Sequence, residues 1–154
     1  DTVRFVDKEK SEIIITGRTK HFLSLVGEHL SVDNMNRAIE IVGEELNVSI
    51  PEFTVTGVPD GTFFGHKWYI ASDKSLDAQD LAQRIDHQLK ILNDDYEIER
   101  RHALRSISVT VLPENTFLKF LESKGKVGSQ HKFPRVLKGN MLEDWLAFLE
   151  TITQ

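Results

Sequence analysis

The sequence predicts an α+β fold, a mostly antiparallel sheet with helices packed on it and preceded by a β-hairpin. Three observations lead there. Strand-like runs recur at Phe53 to Val58, Phe64 to Ser72 and Arg105 to Leu112. Between and after them lie segments whose apolar residues step by three and four. The resulting order is hairpin, strand, helix, strand, strand, helix, strand, helices, which suits helices laid on a sheet.

Taken in order, Thr2 to Asp7 and Glu12 to Thr16 are β-rich runs separated by Lys8-Glu9-Lys10-Ser11, a hairpin pattern. A third extended segment follows within 17–30. Ser31 suits the N-cap of the first helix, where its hydroxyl can accept an otherwise unpaired backbone N–H. Val32, Met35, Ile39, Val42 and Leu46 form that helix's apolar stripe, and Gly43 weakens it modestly. Pro59-Asp60-Gly61 marks the turn between the next two strands. Asp77 caps a second helix with Leu81, Ile85, Leu89 and Leu92 inward. Residues 93–101 either continue it or form a short helix of their own.

Arg105 to Leu112 alternates, with Ile107, Val109 and Val111 on one face and serine or threonine between them, so one face is expected to be buried and the other wetter. Pro113 ends that strand. Glu114 to Ser123 reads as a short helix presenting Phe117, Phe120 and Leu121. Residues 124–139 have no period and read as a loop. Asn140 with Glu143 is a capping pair for the last helix, whose expected inward face is Leu142, Trp145, Leu146, Leu149 and Ile152.

At 154 residues the chain is most simply one domain, large enough for a real core. It has no cysteine, which excludes a disulfide framework, a thiolate nucleophile and a cysteine metal site. No apolar run is long enough to span a bilayer, and no signal-peptide pattern is present, so the expectation is a cytoplasmic protein without a membrane partner. The formal net charge of -5 argues against non-specific nucleic-acid binding. Asp1 is not an initiator methionine, and we expect an excised domain with an N-terminal neighbour.

The chemistry concentrates at two places. The first is Gly17 to Leu30, GRTKHFLSLVGEHL. Gly17 and Gly27 allow backbone angles that other residues resist. Arg18 is a planar, permanently charged fork suited to phosphate or carboxylate. Lys20 follows two residues later, and Glu28 adjoins the second glycine. Read alone, the stretch is a strand with glycine turns and surface charges.

The second place is the loop before the last helix. Residues 119–138 hold six Lys or Arg against a single Glu, although the chain as a whole is acidic. Such a local field concentrates anions, whereas a solvated lysine-rich connection is the plainer reading. Pro134 biases Phe133 towards an extended backbone, so Lys132 should project from a stiffened segment.

With its spacing considered, G-R-x-K followed by an apolar run and G-E-x-L-x-V resembles the hinge motif of adenylate-forming enzymes. Glu52-Phe53-Thr54-Val55, Gly65-His66-Lys67-Trp68-Tyr69-Ile70, Asn93-Asp94-Asp95-Tyr96-Glu97 and Gly128-Ser129-Gln130-His131-Lys132-Phe133-Pro134-Arg135 then follow in that order. Together they resemble the C-terminal domain of the acyl-acid amido synthetases, the family of plant auxin- and jasmonate-conjugating enzymes, with this chain looking like a bacterial-type member. The resemblance runs over nearly the whole chain and divides it into a hairpin (1–16), a hinge-like segment (17–30) and an α+β body (31–154).

That resemblance implies a mobile C-terminal domain whose own N-terminal adenylating domain is its partner. It implies ATP and Mg2+ as cofactors, held mainly by that other domain, and a carboxylic acid and an amine or amino acid as substrates. Gly17, Arg18 and Lys20 would form the hinge, with Lys20 the pivot. Lys132 would be the lysine that reaches the active site during adenylation, and Lys126, directly after a glycine as in other adenylate-forming families, is the rival. Arg18, Gly27, Glu28, Gln130 and Arg135 would face nucleotide or substrate.

Other chemistries find no pattern. The histidines show no zinc spacing, Asp94-Asp95-x-Glu97 lacks the ligand spacing of a calcium loop, and Gly125-Lys126-Val127-Gly128 has the wrong order for a phosphate-binding loop. No serine sits in G-x-S-x-G. The isolated chain therefore carries no complete active site. Two other classes fit the same residues: the C-terminal domain of an acyl-CoA or aryl-CoA ligase, and a non-catalytic anion-binding α+β module.

Overall fold

A computed structural model describes residues 31–60, 63–102, 104–125, 133–137 and 139–152. The expected hairpin and the hinge-like segment lie outside these residues.

The first helix, α1 (Val32–Leu46), starts where expected. Ser31 Oγ accepts from the Asn34 N–H at 3.0 Å, and Asn34 Oδ1 accepts in return from the Ser31 N–H at 3.4 Å. The two side chains thus satisfy each other's backbone donors. Asn47 ends the helix in the left-handed conformation (φ 56°), and the Val48 N–H donates back to the Gly43 carbonyl at 2.9 Å. This closure explains Gly43, because a Cβ there would stand 3.0 Å from the Val48 carbonyl oxygen.

Strands β1 (Phe53–Asp60) and β2 (Phe63–Ala71) pair antiparallel, in a register running from Phe53 opposite Ile70 to Asp60 opposite Phe63. Helices α2 (Ala78–Leu92) and α3 (Asp94–Arg101) follow. Asp77 caps α2 as expected, accepting from the N–H groups of Gln79 and Asp80. Asn93 caps α3, so residues 94–101 form a separate helix rather than an extension. Three acidic residues in the first turn of α3 and two arginines in its last turn complement the helix dipole. After them comes β3 (Leu104–Leu112), which pairs with β2 in parallel. The α2–α3 connection is long enough for that return, which a tight hairpin could not make. The three-stranded sheet is thus mixed, in the order β1-β2-β3. Helices α4 (Thr116–Ser123) and α5 (Gly139–Ile152) complete the described fold.

The sheet is the middle of three layers. Alternate residues of β2 go to opposite faces: Trp68 and Ile70 pack with Phe53, Val55 and Val109 beneath α1, α2 and α3. Tyr69 and Ala71 pack with Leu112 beneath α4 and α5, against Phe117, Phe120, Leu121 and Trp145. Trp145 is fully buried at the centre of the second cluster, with Phe133, Phe117 and Phe120 ring centroids at 5.0–5.2 Å. Two apolar stripes are narrower than the sequence suggests. Val32 on α1, and Leu146 and Ile152 on α5, are exposed, while Met141, Leu142, Phe148 and Leu149 pack around Trp145. Helix α5 presses one side onto the sheet, and Leu146 lies beyond the rim of that contact.

Candidate functional site at the edge of the sheet

β1 is an edge strand of the three-stranded sheet, and the tail of the basic loop covers it. The Val55 N–H donates to the Arg135 carbonyl at 2.8 Å, and the Leu137 N–H donates to the Val55 carbonyl at 2.9 Å, an isolated parallel bridge. Two threonines on β1 extend the attachment. Thr54 Oγ1 donates to the Pro134 carbonyl at 2.8 Å and Thr56 Oγ1 to the Leu137 carbonyl at 2.9 Å. Both threonines are buried, so their hydroxyls need these partners. The bridge also meets the need to satisfy the unpaired groups of an edge strand.

Side chains fix the same segment from both ends. Phe133 is buried in the aromatic cluster, its ring centroid 4.7 Å from that of Phe117 and 5.0 Å from that of Trp145. Leu137 is buried beside it. Between them Arg135 engages two other elements. Its Nη1 donates to Glu52 Oε1 and, at 2.9 Å, to the Phe53 carbonyl, while Nε donates to Asn36 Oδ1 on α1 at 3.3 Å. The guanidinium lies 4.2 Å above the Phe53 ring centroid, and that ring is itself stacked on Trp68. A planar fork that hydrogen-bonds at its edge while its face covers an aromatic ring is a task for arginine, and lysine cannot reproduce it. The Arg135–Glu52 pair is partly buried on both sides, so it is less screened than a surface pair.

Beside this clamp an open cleft of about 610 Å³ runs along α1. Its floor includes Ile39, Val48, Ile50 and Phe53; its rim includes Asn36, Glu40, Glu44 and Arg135.

A second polar cluster lies on the α2–α3 face. Asp86 Oδ1 accepts from the Tyr96 hydroxyl at 2.6 Å and from Arg100 Nε at 2.8 Å, and Lys90 lies 3.4 Å from Oδ2. Arg100 Nη1 also donates to the Leu104 carbonyl at 2.8 Å, tying α3 to the start of β3. Burial alone would raise the Asp86 carboxyl, but the bonds from Arg100 and Tyr96 outweigh it and hold it below its ordinary value. Burial, reinforced by the Asp86 charge, pushes the Tyr96 hydroxyl well up. His66 lies under this group, fully buried, with neither ring nitrogen hydrogen-bonded.

The motif blocks of the sequence meet in pairs. Glu52-Phe53-Thr54-Val55 holds the end of the 128–135 block, and His66 meets Tyr96 of the 93–97 block. Of the site residues expected from sequence, Arg135 is described. Gly17, Arg18, Lys20, Gly27, Glu28, Lys126, Gln130 and Lys132 lie outside the described residues. Asn36 and Asp86 gave no sequence signal, since each occupies a helix position indistinguishable from a solvated one. Glu52 lay within a quoted block but carried no role. Among the described residues, no three His, Asp or Glu side chains group to hold a metal ion, and no helix is long and apolar enough to cross a membrane.

Comparison with known proteins agrees on family and fold. Residues 33–140 match the GH3 family C-terminal domain. In three dimensions the chain is similar to a structure of GH3.15 acyl acid amido synthetase, with a TM-score of 0.61 and 17% identity. It is likewise similar to AtGH3.15 acyl acid amido synthetase in complex with 2,4-DB, at 0.58 and 16%. At such identities the likeness is one of fold. Each alignment covers 77% of this chain and 23% of the other, so the chain corresponds to about a quarter of those proteins. No curated protein sequence matches it. The α+β body, its mixed sheet between two helical layers and the match over residues 33–140 together show that this chain belongs to the GH3 family, as its C-terminal domain.

Proposed function

We propose that this chain is the mobile C-terminal domain of an ATP-dependent acyl-acid amido synthetase, working on an N-terminal adenylating domain. The observation that carries the reading is the family match over residues 33–140, on a fold similar to about a quarter of an acyl acid amido synthetase. In the first step a substrate carboxylate attacks the α-phosphorus of ATP, forming the acyl adenylate and expelling pyrophosphate. In the second, an amine or amino acid attacks the acyl carbonyl, forming the amide and releasing AMP. ATP and Mg2+ would be held mainly by the adenylating domain.

This domain's contribution is a cation delivered for the first step. Lys132 would stabilise charge developing on the α-phosphate and the carboxylate; one preorganised donor of this kind is worth about 3–4 kcal/mol to the barrier. Two observations support Lys132 over Lys126. Lys132 is bonded directly to Phe133, which is buried and part of the anchored segment. Lys126 follows Gly125, which turns the chain at φ +77° just past the end of α4, and holding a lysine flanked by glycine in a fixed pose costs more backbone entropy. Gly17, Arg18 and Lys20 would form the hinge, Lys20 being the pivot about which the domain turns between the half-reactions. Arg18, Gly27, Glu28 and Gln130 would line the nucleotide- or substrate-facing side, while Arg135, whose guanidinium is engaged by Glu52, Asn36 and Phe53, would support that side from behind.

The test uses the full-length enzyme. Lys132→Ala should slow acyl-adenylate formation, followed in a single turnover, by about a hundredfold or more. Amide formation from supplied acyl adenylate should change little. Lys126→Ala should affect neither step, and the reverse pattern would move the assignment to Lys126. An enzyme forming no acyl adenylate from ATP and any carboxylic acid would overturn the reading as a whole.

A further inference from the structure

The edge bridge by itself is a weak constraint. It consists of two backbone hydrogen bonds to one residue, Val55, whereas neighbouring β2 is held by full ladders on both sides. What over-determines the segment is Arg135. Its side chain joins the segment to α1 through Asn36, to the entry of β1 through Glu52 and the Phe53 carbonyl, and to the core through the Phe53 ring. Covering a sheet edge needs none of this, because the main chain and the two threonines already do it. Phe133 in the aromatic cluster and Arg135 at the clamp fix the chain on either side of Pro134, and Lys132 departs from Phe133. The clamp therefore fixes the described stretch that begins one residue after Lys132.

We infer that the Glu52–Arg135 pair is a positioning element for the adenylation lysine, holding the root of its loop in register on β1. The inference rests on the reading of Lys132 as that lysine. Neither Glu52 nor Arg135 need touch substrate for this role; both act through the backbone of 133–137. A cation that must meet developing charge is sensitive to displacements of about an ångström, which can cost about a hundredfold in rate. Glu52 carboxylate and Arg135 fork together remove rotational freedom that Lys132, on a flexible four-carbon stem, cannot remove for itself.

In the full-length enzyme, Glu52→Gln keeps the side chain's shape and removes its charge, and Arg135→Lys keeps the charge and removes the fork. Each should slow acyl-adenylate formation by about tenfold with little change in KM for ATP, and leave amide formation from supplied acyl adenylate unchanged. In a Lys132→Ala background, Glu52→Gln should produce no additional slowing, since the group it positions is gone. Should Glu52→Gln fail to fold, Glu52→Asp, which retains the charge at shorter reach, carries the same comparison. Equal loss in both half-reactions, or a Glu52→Gln effect that persists without Lys132, would show a purely structural pair and overturn the inference. A slow Lys132→Ala enzyme with an unimpaired Glu52→Gln enzyme would overturn the inference alone. Lys132→Ala leaving adenylation intact would remove the underlying lysine assignment with it.

Discussion

The His66 ring lies 6.3 Å from the Tyr96 ring, centroid to centroid, and is completely buried with neither nitrogen hydrogen-bonded. Burial first, and repulsion from Arg100 second, press its pKa down to about 3, only partly offset by Asp86. The histidine is therefore neutral in the fold. An unfolded chain would take up a proton on it below the ordinary value of 6.5.

Stability from this site is accordingly complete above about pH 6.5 and is lost as the pH falls towards 3, at about 1.4 kcal/mol per pH unit once the unfolded histidine is protonated. Asp86, held below its ordinary value of 3.8, contributes stability that is lost only as the pH falls below about that value, so above about pH 4.5 the His66 slope is free of it. Denaturant unfolding between pH 7 and 4.5 should show the slope in the wild type, and His66→Leu should flatten it by about one proton. Identical slopes would mean that His66 is hydrated or paired in solution.

Trp145 holds the second core. Trp145→Ala would leave a cavity ringed by Tyr69, Phe117, Phe120 and Phe133 and should cost about 3–5 kcal/mol. Trp145→Phe keeps a ring and removes an indole N–H that has no partner, so it should cost clearly less. Guanidinium unfolding of the two variants measures the difference, and equal losses would argue against ring packing as the cause.

Gly65 is required by its neighbour. It sits where the β2–β3 register shifts, and a Cβ there would fall 2.2 Å from Ser106 Oγ and 3.3 Å from the Ser106 carbonyl oxygen. Gly65→Ala should destabilise by about 1–3 kcal/mol as an overpacked site. Ser106→Ala removes the nearer atom and should recover part of that loss in the double variant. Simple additivity of the two substitutions would refute the contact.

The proposed pivot makes a kinetic prediction. Lys20→Pro in the full-length enzyme fixes φ near −65° and should trap one domain arrangement. One half-reaction should then proceed at its normal rate while overall amide synthesis falls. Single-turnover rates for each half-reaction check it, and two normal half-reactions with normal turnover would remove Lys20 from the hinge.

Among the described residues, the helices and strands were legible in the local sequence. Ser31 and Asp77 cap where their short side chains say they should, because capping is settled within one turn of chain. The stripes of α1 and α2 and the alternation of β3 are equally local. The family was legible too, in four motif blocks that the fold brings together in pairs. Which block meets which was set by the packing of the whole chain. Strand direction follows from the path of the whole α2–α3 crossover, so no pattern within β2 or β3 announces a parallel pair. Residues 133–137 have no period, yet they seal the sheet edge, because one bridge and one arginine clamp need only a single residue each in the right place. Arg135 was legible as a cation. That its charge is spent on Glu52, Phe53 and Asn36 was not, since those partners lie 83, 82 and 99 residues away in the chain, and contacts at such separations are fixed by packing rather than by local sequence.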